Sequence, residues 1–346
     1  MATIGNTYLN LIDMMKSTED GKTIATIIEL LNLTNPILDD AIAIECNMGT
    51  FHRHTIRTGL PTVTWGELYK GTPQSKSSKQ QVDDTTGFLE ALSTVDTRLL
   101  DISPNAAGVR LGEAKGFLEA MSQEMASALF YRSTATAPET ILGLSARYGI
   151  KGGAGAGNQI VDAGGAGSDN SSIWFVTWGE DTTSLIYPKG TQAGVKREDM
   201  GKQRILDAQG NPFYAMEEKF TWHAGLTVKD FRWNARIANI SAAAMAAGTL
   251  KLYDFLAAGY YKLQGRRVAR PGANIKGSPA SNLGRTVIYM NRDTLAYLDQ
   301  LGRNAGASDS FIRLRPMEVA GEEIMSYRGI PIREVDALLS TEARVV

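Results

Sequence analysis

Three histidines, one cysteine and a few adjacent carboxylates are the residues whose types could carry chemistry. His52 and His54 are two apart, so on a strand they share a face and could share a metal ion. A metal centre needs further ligands, and only His223 remains in the chain. An exposed strand face is the plainer reading of the pair. Cys46 is the only cysteine, so no intramolecular disulfide can form, and a lone thiol fits a reducing cytoplasm. The sequence places no activating partner near it, so it reads as a buried apolar thiol. Ser145, in GLSARYG, lacks the GxSxG spacing of a nucleophile elbow. The pairs Asp83-Asp84 and Glu217-Glu218 would point to opposite faces of a strand, which does not make a general acid and base. The glycine-rich run KGGAGAGNQ lacks the Gly-Lys-Ser/Thr ending that holds phosphates and magnesium, so residues 152–167 are expected to bind no nucleotide. No catalytic, cofactor or metal site emerges, and the chain reads as a non-enzyme.

The 346 residues, 43% hydrophobic and 21% charged, suffice for one large domain or several smaller ones with proper cores. A formal net charge of −1 argues against tight nucleic-acid binding. No apolar run is long enough to span a bilayer. Residues 1–22 lack the basic start, apolar stretch and cleavage site of a secretory signal.

The elements that would position these residues read as an α+β chain of several lobes. Ile24, Ile27, Ile28 and Leu31 have helical spacing over residues 23–33, and Asn35-Pro36 ends that pattern. Residues 39–45 suggest a second short helix. The stretch FHRHTIRTGLPTVTWGELY alternates like a strand, with an interruption at Gly59-Leu60-Pro61, and leads to a polar, cationic tip, KGTPQSKSSKQQ. Such a hairpin has little core of its own and is longer than loops usually are without a task. It is either a disordered surface loop or an arm that orders against a neighbouring subunit. From Pro104 to about Ser133, Ala114, Leu118, Met121, Met125 and Leu129 form the apolar stripe of a long amphipathic helix.

A Gly/Ala/Asn-rich loop follows Pro138. Strands are predicted at residues 173–178 and 184–187, joined by a GEDT hairpin turn. Next comes a strand with Tyr214, Met216, Glu218, Phe220 and Trp222 on one face, continued by another at residues 228–240. Ser241 is the expected N-cap of an alanine-rich helix and Thr249 of its continuation. Residues 265–285 form a basic loop containing Arg266, Arg267 and Arg270, which could face DNA or a neighbouring subunit. A buried strand at 286–290, a helix capped by Asn291 and a strand bent at Gly329-Ile330-Pro331 complete the chain.

This ordered set resembles the major capsid proteins of tailed bacteriophages, which share the Hong Kong 97-type fold. WGEDTTSLIYPKGTQAG looks like the peripheral-domain segment of the epsilon15-like and Bordetella-phage-like short-tailed phages. GLTVKDFRWNARIANI resembles the strand after it, and TVIYMNRDTLAYL and SYRGIPIREVDALL the axial strand-helix and closing strand. The resemblance implies an N-terminal arm (1–50), an extended loop (51–86) and a peripheral domain (87–240) with a spine helix at about 104–133. An axial domain (241–335) and a C-terminal return segment (336–346) would follow. It implies a coat subunit that self-assembles into hexamers and pentamers of an icosahedral shell enclosing double-stranded DNA, without sequence specificity. The shell would form in the host bacterial cytoplasm and belong to the virion. Implied partners are a separate scaffolding protein, a portal protein and a decoration or cement protein. Lys70, Lys76, Lys79 and Trp65 of the extended loop would make intersubunit contacts. The alternatives are another virion subunit, such as a tail-tube or portal-associated protein, or a hydrolase.

Overall fold

The computed structural model describes residues 18–19, 23–24 and 35–346, except 104, 154, 208, 265–283, 305–313 and 320–321. The basic candidates Arg266, Arg267 and Arg270 lie outside the described residues. Strands β1 (Thr18–Glu19) and β2 (Thr23–Ile24) pair antiparallel, so the helix expected from residue 23 does not begin there. The rest of that expected helix, from residue 25, is outside the described residues. One helical turn, α1 (Ile37–Asp40), is followed by strand β3 (Ala43–Glu45), where a helix to residue 45 was expected. The chain turns extended at Ala41, and β-branched Ile42 and Ile44 favour a strand over a second turn.

Strands β4 (Phe51–Gly59) and β5 (Ser78–Asp96) form an antiparallel hairpin, in register from Phe51 opposite Thr85 to Arg57 opposite Lys79, with a one-residue shift before Gly59 opposite Ser78. Midway, β5 changes partner: from Thr86 it pairs with β10 (Pro212–Val228). Strand β9 (Val195–Leu206) lines the other side of β10, giving the order β9-β10-β5-β4. Asp96 caps the short helix α2 (Thr97–Ile102), and Asn105 caps α3 (Ala106–Tyr131) by accepting from the Gly108 N–H. At 1.5 Å per residue, α3 is roughly 39 Å long. Its apolar face lies on this sheet, where Ala114, Phe117 and Met121 meet Leu89, Phe220 and Trp222. The expected stripe is buried at Ala114, Met121, Met125 and Leu129 but not at Leu118, which is 41% exposed. Phe117 takes its place, stacked on Phe220 with ring centroids 6.4 Å apart. Further along, Ala126, Leu129 and Phe130 are all fully buried, so the last turns of α3 are enclosed on several sides.

A second group of strands has β7 (Asn170–Trp178) at its centre, between β11 (Ala235–Ser241) and β12 (Arg285–Met290). Every residue of β7 is buried, because both sheet faces are covered. Trp174, Val176 and Trp178 face α3 and helix α4 (Leu144–Arg147). Ile173 and Phe175 face helices α5 (Ala242–Ala246), α6 (Leu252–Lys262) and α7 (Arg292–Asn304). The order continues through β15 (Ile330–Glu334), β14 (Glu322–Tyr327) and β13 (Arg315–Val319). The expected hairpin at GEDT is only a turn. Strand β8 (Thr183–Tyr187) meets β7 at Trp178–Thr183 alone and pairs instead with β10 and β3. Both edges of β7 are already occupied, so β8 has to find partners elsewhere.

Four further expectations change. The glycine-rich loop holds a 3-10 turn (Ala156–Gln159) and strand β6 (Ile160–Asp162), which pairs parallel with β11. The strand expected over residues 228–240 is broken by a 3-10 turn at Phe231–Trp233, capped by Asp230. Ser241 caps α5 as expected, but Thr249 caps nothing; its hydroxyl donates back to the Ala244 carbonyl. The closing strand is a tight hairpin, with Arg328 (φ +52°) and Gly329 (φ +80°) at its turn. Two successive positive φ values suit the twist of paired strands.

Candidate assembly interface

The hairpin of β4 and β5 is anchored at its root by buried polar groups. Alternation along β5 sends Asp83 outward and Asp84 inward, as expected for adjacent residues on a strand. Asp84 is almost fully buried and accepts from Arg147 Nη2 at 2.8 Å and Thr227 Oγ1 at 2.6 Å. Arg147 also donates to the Leu226 carbonyl, tying α4, β5 and β10 together. His52 and His54 share a face, but that face is the covered one rather than an exposed one. Their Nδ1 atoms are buried without hydrogen-bond partners, and His54 Nδ1 lies 3.8 Å from Asp84 Oδ2. Burial lowers both histidine pKa values. At His54 the pull of Asp84 opposes this, while Arg147 and Lys229 add to the lowering. On the opposite face, Arg53 Nε donates to Asp83 Oδ1 at 2.7 Å. The Asn47 side chain clamps the Arg53 backbone from both sides, at 2.7 and 2.8 Å. His223 is not near the other two histidines in this arrangement; it packs on Phe88, with ring centroids 6.0 Å apart.

Beyond Gly59 the hairpin carries no further strand pairing, and all of residues 60–76 are exposed. Leu60, Val63, Trp65, Leu68 and Tyr69 are large apolar residues in this tip, and Trp65 is 98% exposed. The strand expected to run on to Tyr69 therefore ends at Gly59, so these five residues lie in an unpaired exposed segment, while residues 78–81 of the expected polar tip belong to β5. Large apolar side chains exposed together in one segment are the kind of surface that serves as an interaction site. Lys76 and Lys79 are exposed, whereas Lys70 pairs with Glu67 of its own tip at 2.9 Å.

Sequence reasoning missed three other buried charges. Glu218 is held between Arg197 and Arg110, joining β9, β10 and α3. Asp40 sits among Arg333, Arg285 and the Tyr289 hydroxyl, fixing α1 to the central strands. Glu342 accepts from Arg236 Nη2 at 2.8 Å and from the Tyr131 hydroxyl at 2.6 Å, so the C-terminal segment is latched onto α3 and β11. Each centres on one carboxylate with two or more donors from distant elements, the pattern of structural pinning rather than proton transfer. Burial, reinforced by Glu45, pushes the Cys46 thiol up to about 11, which leaves it protonated and unreactive. Among the described residues, no group of three or more metal-ligating side chains converges, and no helix is long and apolar enough to cross a membrane.

Comparison with known proteins gives this arrangement a context. Residues 18–346 match the family described as Major capsid protein GP7. The solved structure of bacteriophage Epsilon15 is 32% identical, with a TM-score of 0.76, covering 100% of this chain and 99% of that one. The capsid of bacteriophage JBD30 is 10% identical, with a TM-score of 0.50 over 97% of this chain and 99% of that one, a likeness of fold alone. Comparison with curated proteins gives no match. The shared fold is the Hong Kong 97 type.

Proposed function

The chain belongs to the major capsid protein GP7 family, and from that premise we propose that copies of it join through the hairpin arm, residues 51–86, into hexamers and pentamers of an icosahedral shell around double-stranded DNA. One observation carries the role of the arm: its root is fixed by buried polar contacts while its tip exposes five large apolar residues. Ordering the tip costs roughly 1–2 kcal/mol per residue of backbone entropy, which contacts within one subunit do not offset. A neighbouring subunit offers the missing surface. Trp65 is the apolar anchor of that contact, and Lys76 and Lys79 meet carboxylates across it. Lys70, paired with Glu67 of its own tip, is the third cation of the arm offered to that contact.

On this reading DNA is enclosed without sequence recognition, in keeping with a net charge of −1. Assembly takes place in the host cytoplasm with a scaffolding protein, a portal and a decoration protein as partners. The test is electron microscopy of the purified chain. Closed shells or capsomers of hexamers and pentamers support the reading; monodisperse globules under all assembly conditions, or tubes as for a tail subunit, contradict it.

A further inference from the structure

Residues 336–346 lie across the end of α3 and the central strands, seated by side chains from distant parts of the chain. The Tyr131 hydroxyl accepts from the Leu339 N–H at 2.9 Å and donates to Glu342. Asn239 clamps the Val345 backbone from both sides, at 2.8 and 2.9 Å. Glu342 is 6% exposed and pairs with Arg236, which is 4% exposed. Arg236 carries this hold inward. Its Nη2 donates to Glu342, its Nε to Ser172 Oγ at 3.1 Å and its Nη1 to the Tyr148 carbonyl at 2.9 Å. The guanidinium lies over the Trp174 ring, 4.8 Å from its centroid, and the Tyr148 ring meets the same indole edge-on at 5.9 Å. Tyr148 closes α4, its N–H donating to the Leu144 carbonyl, so the residue gripped by Arg236 directly follows Arg147. Arg147 in turn grips Asp84 at the root of the arm.

We infer that residues 336–346 act as a strap that sets the arm: seating of the strap and fixing of the arm root are coupled through Glu342, Arg236, Tyr148, Arg147 and Asp84. A single helical turn offers little slack between its ends, so the hold on the Tyr148 carbonyl also aims Arg147 at Asp84. Each end of this line is a buried carboxylate on a buried guanidinium, and withdrawing either carboxylate leaves an arginine short of its counter-charge. With the strap seated, α4 is held against β11 and the arm has a fixed base. With the strap lifted, α4 loses that hold and the root loosens. Coupling of this kind is reciprocal, so loosening the root must also loosen the strap. It operates within one subunit, whatever surface the arm meets in a shell.

Hydrogen exchange of the free subunit reads the coupling. In Glu342→Gln, the Tyr148 amide and those of the arm root, residues 51–57 and 79–85, should exchange roughly tenfold faster, the effect of weakening one hydrogen bond between charged groups. Asp84→Asn should in turn speed the amides of Leu339, Glu342 and Val345 by a similar factor. Buried strand β12 is the control and should not change. Acceleration confined to the strap in the first variant, or no response of the strap in the second, overturns the coupling. So does equal acceleration at β12, the mark of a general loss of stability. The wild-type chain gives a second measurement that needs no variant to fold. In rising, sub-denaturing urea the strap, Tyr148 and the root should open as one unit, with one free energy and one urea dependence. Opening of the root and the strap as separate units overturns the inference.

Discussion

The root and the tip of the arm belong to one hairpin, the root built by β4 and β5 and the tip by the unpaired segment between them, and their side chains are used in opposite ways. At the root, Asp84 is buried and satisfied by donors from α4 and β10, and the histidines opposite it are enclosed. At the tip, large apolar residues lie open and the charged groups are solvated. The root completes its contacts within the subunit, and the tip leaves them for a partner. Fixing the base while leaving the end uncovered lets the arm point in a defined direction without closing onto its own chain.

This contrast can be broken most sharply at the root. Asp84→Ala leaves Arg147 buried without its partner, and breaking a buried pair from one side costs about 3–5 kcal/mol. Urea unfolding of the free subunit should register that loss; a change below 1 kcal/mol would mean that the root is not a fixed point.

A smaller effect of the same origin follows pH. The folded pKa values of His52 and His54 lie below their ordinary 6.5, chiefly through burial. The unfolded chain therefore binds protons more readily, and stability rises with pH in this range. The contribution is fully present above pH 6.5 and is lost as pH falls from there toward the lower folded values. Denaturation midpoints measured from pH 7.5 to 5 should decline, and His54→Gln should flatten the decline.

The smallest effect on the subunit belongs to the tip. Trp65→Ala or Lys76→Ala should shift subunit stability by no more than about 0.5 kcal/mol, as is usual at exposed positions. Light scattering should nonetheless show slower assembly, most strongly for Trp65→Ala.

Periodicity made much of this fold legible. The 3.6-residue spacing from Ala114 to Leu129 identified the long helix, and the hairpin was visible as one alternating run leading to a polar, cationic tip. Alternation also placed His52 with His54 and separated Asp83 from Asp84. It did not say which face would be covered, because that depends on α4 and β10, which arrive from far along the chain. Arg147 and Thr227 are 63 and 143 residues from Asp84, beyond any local pattern. The same limit hid the change of partner in β5 and the splaying of β7 from β8, since pairing is decided by which strand edges remain free. At the tip, Trp65 and Tyr69 alternated as strand residues would, and only the structure shows them uncovered.

The central claim is that the tip serves assembly and not folding. Gly59 and Ser78 are opposite one another in the ladder, so residues 60–77 can be replaced by an Asn-Gly turn without disturbing the root. Thermal unfolding and electron microscopy of that one variant decide the matter together. A melting temperature within a few degrees of wild type, combined with no stable shells, is the required result. Normal shells from the shortened chain, or a subunit that no longer folds, would contradict it.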